Sequence, residues 1–310
     1  MKKQLIDIVS LLNGYVGAPI LITDDEVSYI SNIKDPQNHW LYYTFNGFRV
    51  LRDRGIKVNN LIIIATGPGI DAIGAMEILS PKKVIVTDLV PAAIKSAKKN
   101  VARYQKTGKK IPVSFVVGNL CDPLGDNKAD IIYANIPNIP IKSDRKNQLL
   151  DGITASTFFD LGLVNGVPEK INKHLLALQY KFLQQAKDHL TQNGIVVINL
   201  GARFPIKIID QLFDMAGYDY DVLYFGFKKQ TEIKDTIPGY SQNEKNGIIF
   251  TYYPYKQAIK LLKNKHIKNV ENLIKTLKPL RISATEALKR SRKGEDMGHI
   301  VTLLEARLRK

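Results

Sequence analysis

The sequence predicts an α/β protein built on a mostly parallel sheet, and three observations carry that expectation. Leu61 to Ile64 is a run of large apolar residues without alternation, the pattern of a strand covered on both faces. Gly67-Pro68-Gly69 then turns the chain into a helical stretch, about Asp71 to Leu79, and a second buried run, Val84 to Val86, follows and ends in Asp88. Further strand and helix patterns keep alternating as far as Tyr255, as parallel crossovers require.

The remaining strands are expected at Val113 to Val117, Ala129 to Tyr133, Ile195 to Leu200, Asp221 to Phe227 and Gly247 to Tyr253. Leu175 to Leu190 reads as a helix with Ala177, Tyr180, Leu183 and Ala186 on one face, and Pro205 to Met215 as another. Residues 1–57 read as helical: Leu5, Ile8, Val9, Leu11 and Leu12 fit an amphipathic helix, and Thr23-Asp24-Asp25-Glu26 is a capping box. Asp35-Pro36 opens a helix rich in aromatics from Trp40 to Phe48, with proline at its first position.

The chemistry collects at strand ends. Gly67 and Gly69 permit positive φ and a close approach of ligand to backbone, and the helix that follows presents its free N-terminal amides. Asp88 can accept two hydrogen bonds from a ribose diol, and it lies at about the spacing of a βαβ nucleoside site. A plain strand-to-helix turn explains the glycines alone, but less well the whole series. Ala72 stands where a dinucleotide fingerprint often has its third glycine. Two more strand-end motifs follow in order, Gly118-Asn119-Leu120-Cys121-Asp122 and Ala134-Asn135-Ile136-Pro137-Asn138.

With these motifs the chain resembles the class I S-adenosylmethionine-dependent methyltransferases over roughly Leu61 to Tyr255. The resemblance implies a seven-stranded, mostly parallel Rossmann-like sheet whose last strand is antiparallel to the sixth. It implies S-adenosyl-L-methionine as cofactor, S-adenosyl-L-homocysteine as product, and a cofactor site at Thr66, Gly67, Gly69, Asp88, Leu89, Asn119, Leu120 and Asn135. Asn135-Ile136-Pro137-Asn138 looks like a variant of the Asn-Pro-Pro-aromatic signature, which makes Asn135, Pro137 and Asn138 the candidate catalytic residues. There are two departures. Ile63 and Ala65 replace an acid and a glycine, leaving Asp71 as a candidate for the methionine amino group, and Asn138 replaces the stacking aromatic. The implied reaction is methyl transfer to an amino or amide nitrogen of an RNA or protein. A small-molecule methyltransferase and an inactive cofactor-binding protein are the alternatives.

Composition bounds the rest. The chain divides into a helical N-terminal cap or lid (1–57), a cofactor-binding catalytic domain (58–255) and a basic helical C-terminal extension (256–310). Tyr42 or Tyr43 is the candidate lid residue facing the substrate, with an aromatic core seam as the other reading. The extension holds fifteen Lys or Arg against five Asp or Glu, most of the chain's formal charge of +16. It reads as a handle for RNA or another polyanion, or as a solvated face. Ser283-Ala284-Thr285-Glu286 is a second capping box, and Asp144-Arg145-Lys146-Asn147 and Thr154 to Phe159 lie in a loop expected to shape the substrate pocket. One cysteine, Cys121, excludes an intramolecular disulfide framework, and five histidines without ligand spacing give no metal site. No apolar run reaches a membrane span and Asp7 interrupts the N-terminal one, so a cytoplasmic location is expected, and oligomeric state is not legible.

Overall fold

In the computed structural model, residues 4–12, 19–24, 33, 35–141, 149 and 157–310 are described. Strands β1 (Gln4–Asp7) and β2 (Leu21–Asp24) pair antiparallel, apart from the main sheet. The main sheet takes β3 (Asn60–Ile64), β4 (Lys83–Asp88), β5 (Val113–Val117) and β6 (Ala129–Ala134) as parallel neighbours in the order β5-β4-β3-β6. A short parallel pair, β7 (Ile139–Pro140) with β8 (Phe158–Phe159), lies outside it. Next to β6 comes β9 (Leu190–Gly201), also parallel, then β13 (Met297–Leu308), antiparallel to β9 on one side and to β10 (Tyr218–Lys229) on the other. β11 (Thr251–Pro254) joins the first residues of β13 and carries β12 (Ile282–Ser283).

Alternating side chains of the inner strands feed two cores, one on each face. Ile62, Ile64, Ile132, Val196 and Ile198 face one core, and Leu61, Ile63, Ile131, Ile195 and Val197 the other. The second face is covered by α1 (Trp40–Asp53), α2 (Ile70–Leu79) and α3 (Pro91–Tyr104). Gly74 of α2 has no room for a Cβ because the ring of Phe45 fills it, so α1 sits hard against α2. After the short α4 (Glu169–Lys173), α5 (Ala177–Ala186) and α6 (Ile206–Ala216) cover the first face. α7 (Ile233–Asn243), α8 (Tyr255–Leu262), α9 (Val270–Leu277) and α10 (Ala284–Ser291) complete the chain.

Six strands fall where the sequence puts them, but the seventh does not. Thr251–Pro254 is a short outer strand, and the antiparallel partner of the sixth is Met297–Leu308, inside the stretch expected to be a helical extension. Ile300, Val301, Leu303, Leu304 and Ala306 are buried on alternate faces between β9 and β10, so residues 230–296 form a long excursion between two sheet strands. The tail's charges sit on that excursion and at the end of β13. Ser283 does cap α10, its Oγ accepting from the Glu286 N–H at 3.1 Å.

The N-terminal segment is also not simply helical. The Asp7 carboxylate accepts from the backbone of both Val9 and Ile20 at 3.0 Å, closing the β1–β2 ribbon where a helix was expected. Thr23 and Asp24 belong to β2, while Asp25 and Glu26 of the expected capping box lie outside the described residues. Pro36 starts a single turn, Pro36–Asn38, before α1 begins after His39.

Candidate active site

One cavity runs along the carboxyl ends of β3, β4, β6 and β9. It brings together Thr66, Gly67, Asp88, Leu89, Asn119, Leu120, Asn135, Pro137 and Asn138. Ligands of open α/β sheets bind at this edge, because helix N-termini and strand-end loops meet there.

The glycine loop is built by short polar links. Gly67 at φ +55° and Gly69 at φ +82° occupy the left-handed region, and the Gly69 N–H donates to the Thr66 carbonyl at 3.0 Å. Asp88 accepts from the Gly67 N–H and the Val90 N–H, each at 2.9 Å, so the acid at the end of β4 fixes the loop at the end of β3. Burial pushes the Asp88 carboxyl up, and the two amides oppose that shift. Each oxygen keeps a second lone pair for a diol. Ala65, where a glycine is usual in the resembled family, is itself left-handed at φ +57°, a conformation that costs a side-chain-bearing residue energy.

Asp71 does not line the cavity. Its Oδ1 accepts from the Thr66 hydroxyl at 2.7 Å and the Ala72 N–H at 2.8 Å, Oδ2 is buried with no partner among the described residues, and burial pushes the carboxyl up to about 7. It braces the loop from behind, so the contact to a methionine amino group does not come from it. Gly69 also lies off the cavity wall, where a Cβ would stand 3.0 Å from the Ala97 Cα of α3.

At the end of β6 the Asn135 carboxamide has no hydrogen-bond partner among the described residues, and it opens on the cavity. Asn138 is engaged: its Nδ2 donates to the Leu175 carbonyl at 3.1 Å, so the residue in the aromatic position anchors the loop. The Pro137 carbonyl accepts from Gln179 Nε2 at 3.2 Å, and the Ile136 carbonyl from the same nitrogen at 3.3 Å. Gln179 is fully buried on α5 and sets the direction of the Pro137 carbonyl, a role for which the sequence carried no signal beyond a polar residue on a helix face.

The tyrosines do not come to this site. Tyr43 is buried, its hydroxyl donating to the Gln37 carbonyl at 2.9 Å and the Phe227 carbonyl at 3.1 Å, and neither it nor Tyr42 lines the cavity. Trp40, at the start of the same helix, does. Phe158 and Phe159 also line it, while Asp144 to Asn147 and Thr154 to Ser156 lie outside the described residues. The far end of the cavity holds Arg203, Lys228, Gln230, Glu232 and His299, which the sequence reading missed because they come from β10, β13 and the ends beside them.

The parallel order, the antiparallel last strand inserted beside the sixth, and the glycine loop held by the next strand's acid define a class I, Rossmann-like methyltransferase fold. A family model described as "Ribosomal protein L11 methyltransferase (PrmA)" matches residues 49–150. A bifunctional methyltransferase of Rickettsia typhi is 25% identical over 183 residues, which are 59% of this chain and 33% of that protein. One from Rickettsia bellii is likewise 25% identical, over 171 residues, 54% of this chain and 28% of that protein. The chain thus spans about a third of the length of the curated relatives it matches. Among solved structures, a ribosomal protein L11 methylase from Lactobacillus delbrueckii subsp. bulgaricus aligns at TM-score 0.39 and 18% identity, covering 64% of this chain and 74% of that one. Among the described residues no helix is long and apolar enough to cross a membrane.

Proposed function

We propose that this chain is an S-adenosylmethionine-dependent methyltransferase acting on an amino or amide nitrogen. The observation that carries the reading is the meeting, in one cavity, of the Asp88-braced glycine loop with an Asn135 carboxamide that has no hydrogen-bond partner among the described residues. The donor set fits the cofactor. The Asp88 carboxylate suits a ribose diol, Asn119 and the apolar Leu89 and Leu120 suit an adenine, and a Cβ on Gly67 would meet nothing within 4 Å, leaving the loop open to close approach. When bound, the cofactor supplies a methyl group on a sulfonium, an electrophile that needs only an aligned lone pair.

The chain's own residues supply that alignment. The Asn135 oxygen accepts an N–H of the acceptor, and the Pro137 carbonyl, turned by Gln179, has a second lone pair for another. Together they draw a delocalised nitrogen lone pair out of conjugation and offset positive charge as it develops. The apolar walls from Ile136, Phe158 and Phe159 exclude water from the reacting atoms.

The likeness to an L11 methyltransferase supports a protein acceptor. That match ends at residue 150, however, before Gln179, Arg203, Lys228 and His299. A compact acceptor is the second reading, and the buried polar groups at the far end of the cavity favour it. Labelled methyl from S-adenosylmethionine, followed into cell-extract fractions sorted by size, tests the reaction and separates the two acceptors. Asn135→Ala is expected to keep S-adenosylhomocysteine binding and lose transfer; transfer at the wild-type rate would remove Asn135 from the chemistry.

A further inference from the structure

The far end of the cavity carries more positive than negative charge. Arg203 follows β9 and is 7% exposed, and Lys228 near the end of β10 is 4% exposed; both line the cavity. Among the described residues neither makes an ion pair within 4 Å, and Glu232 is the carboxylate whose field reaches both. Buried charges are normally paired, since an unpaired one loses its hydration without return.

The surroundings hold these cations in place without neutralising them. One edge of the Arg203 guanidinium donates to Gln230 Oε1 at 2.6 Å, and its carbon stands 4.9 Å from the Tyr240 ring centre and 5.5 Å from that of Tyr252. Its Nε, buried, has no hydrogen-bond partner among the described residues. Gly201 makes room for it, because a Cβ there would collide with the guanidinium. The Lys228 ammonium donates to the Lys229 carbonyl at 3.0 Å, which leaves further protons unassigned. His299 stands opposite Lys228 in the β10–β13 register, and burial holds its pKa well below the usual histidine value, so it adds no charge.

We propose that Arg203 and Lys228 form an anion subsite that receives a carboxylate or phosphate of the methyl acceptor. This rests on the methyltransferase reading, and it narrows the acceptor to a compact molecule, or a protruding group, carrying an amino or amide nitrogen and an anionic group. The anion docks between the guanidinium and the ammonium, restores charge balance, and orients the nitrogen end toward Asn135. The site is built from the ends of β9, β10 and β13, which lie outside the residues the family model matches.

The test uses the full chain and its one tryptophan, Trp40, which lines the same cavity and reports occupancy by fluorescence. Inorganic phosphate and acetate are titrated separately at constant ionic strength, with and without saturating S-adenosylhomocysteine. The expected result is a saturable change with at least one anion, the tighter one naming the acceptor's group, and a loss of affinity of about tenfold or more in Arg203→Gln and in Lys228→Met. Lys228→Met removes a buried charge at similar volume and is expected to fold even if Arg203→Gln does not. Burial and Arg203 lower the Lys228 pKa to about 8 while Glu232 opposes the shift, so wild-type anion affinity falls as pH rises past about 8, and the Met variant shows no such fall. A non-saturating response, or equal affinities in wild type and variants, overturns the subsite. Calorimetry with S-adenosylhomocysteine keeps the two claims apart: anion binding without nucleoside binding would remove the methyltransferase reading and leave the anion site standing.

Discussion

The two loop glycines perform different tasks, and alanine at each separates them. At Gly69 the added Cβ stands 3.0 Å from both Cα and Cβ of Ala97, tighter than van der Waals contact against the backbone of α3. Left-handed backbone with a side chain costs roughly 1–2 kcal/mol, and overpacking a closed contact roughly 1–3 kcal/mol. Alanine restricts the unfolded chain by roughly 0.4–1 kcal/mol, so Gly69→Ala loses about 1–4 kcal/mol of stability, a large share of a domain's total. At Gly67 the backbone is also left-handed, at φ +55°, but nothing stands within 4 Å of the added methyl. Only the conformational cost applies, reduced by roughly 0.4–1 kcal/mol because alanine restricts the unfolded chain, so Gly67→Ala loses about 1 kcal/mol. Its methyl stands in the space the loop leaves for a ligand, and S-adenosylhomocysteine affinity falls at least tenfold in a folded protein. Urea unfolding and calorimetry on both variants check this. Wild-type affinity in Gly67→Ala, or wild-type stability in Gly69→Ala, would refute the assignment of one glycine to the ligand and the other to packing.

Asp71, raised by burial to about 7, contributes stability that is fully present below its unfolded pKa near 4 and is lost as pH rises through about 7. Asp71→Asn is expected to flatten that slope, by up to a few kcal/mol between pH 4 and 8 in urea titrations, and an unchanged slope would remove Asp71 as its source. The Cys121 thiol, buried and pushed up to about 12, is expected to resist alkylation by iodoacetamide at pH 8 until the protein is unfolded, and rapid labelling of the native form would contradict its burial. Tyr43→Phe removes hydroxyl bonds to Gln37 and Phe227 and is expected to cost about 1–2 kcal/mol while leaving S-adenosylhomocysteine affinity unchanged. A loss of methyl-transfer turnover in Tyr43→Phe beyond what its stability explains would restore the lid.

The end of the cavity at Gly67 and Asp88 was readable because its signals are local. Leu61 to Ile64, Gly67 to Gly69 and Asp88 lie within a single βαβ unit, and spacing alone brings Asp88 to the Gly67 amide. The end of the cavity at Arg203, Lys228 and His299 was not readable, because its members meet only through long-range pairing. Lys228 and His299 are neighbours across the β10–β13 ladder yet 71 residues apart. The last strand was missed for a related reason: Glu305 and Arg307 break its apolar run in sequence. In the fold Glu305 is buried and bonded to Arg307, two residues on, at 3.2 Å and to Arg54 at 2.7 Å, and the second pairing, 251 residues apart, is one no local window displays. The Ser283 cap of α10 was legible, since it depends on a few adjacent residues, whereas Pro36, expected to open the aromatic helix, starts only a single turn ahead of it. The β1–β2 ribbon was not, because the Asp7 carboxylate selects it over a helix by reaching the Ile20 amide.

The most direct test of the account is calorimetric titration of the intact chain with S-adenosylhomocysteine, repeated on Asp88→Ala. One nucleoside is expected to bind per chain, and the variant, which removes both the diol acceptor and the brace on the Gly67 amide, is expected to lose affinity by about tenfold or more. Absence of binding to the wild-type chain, or equal binding to both, would contradict the claim that the loop and acid form a sulfonium-cofactor site.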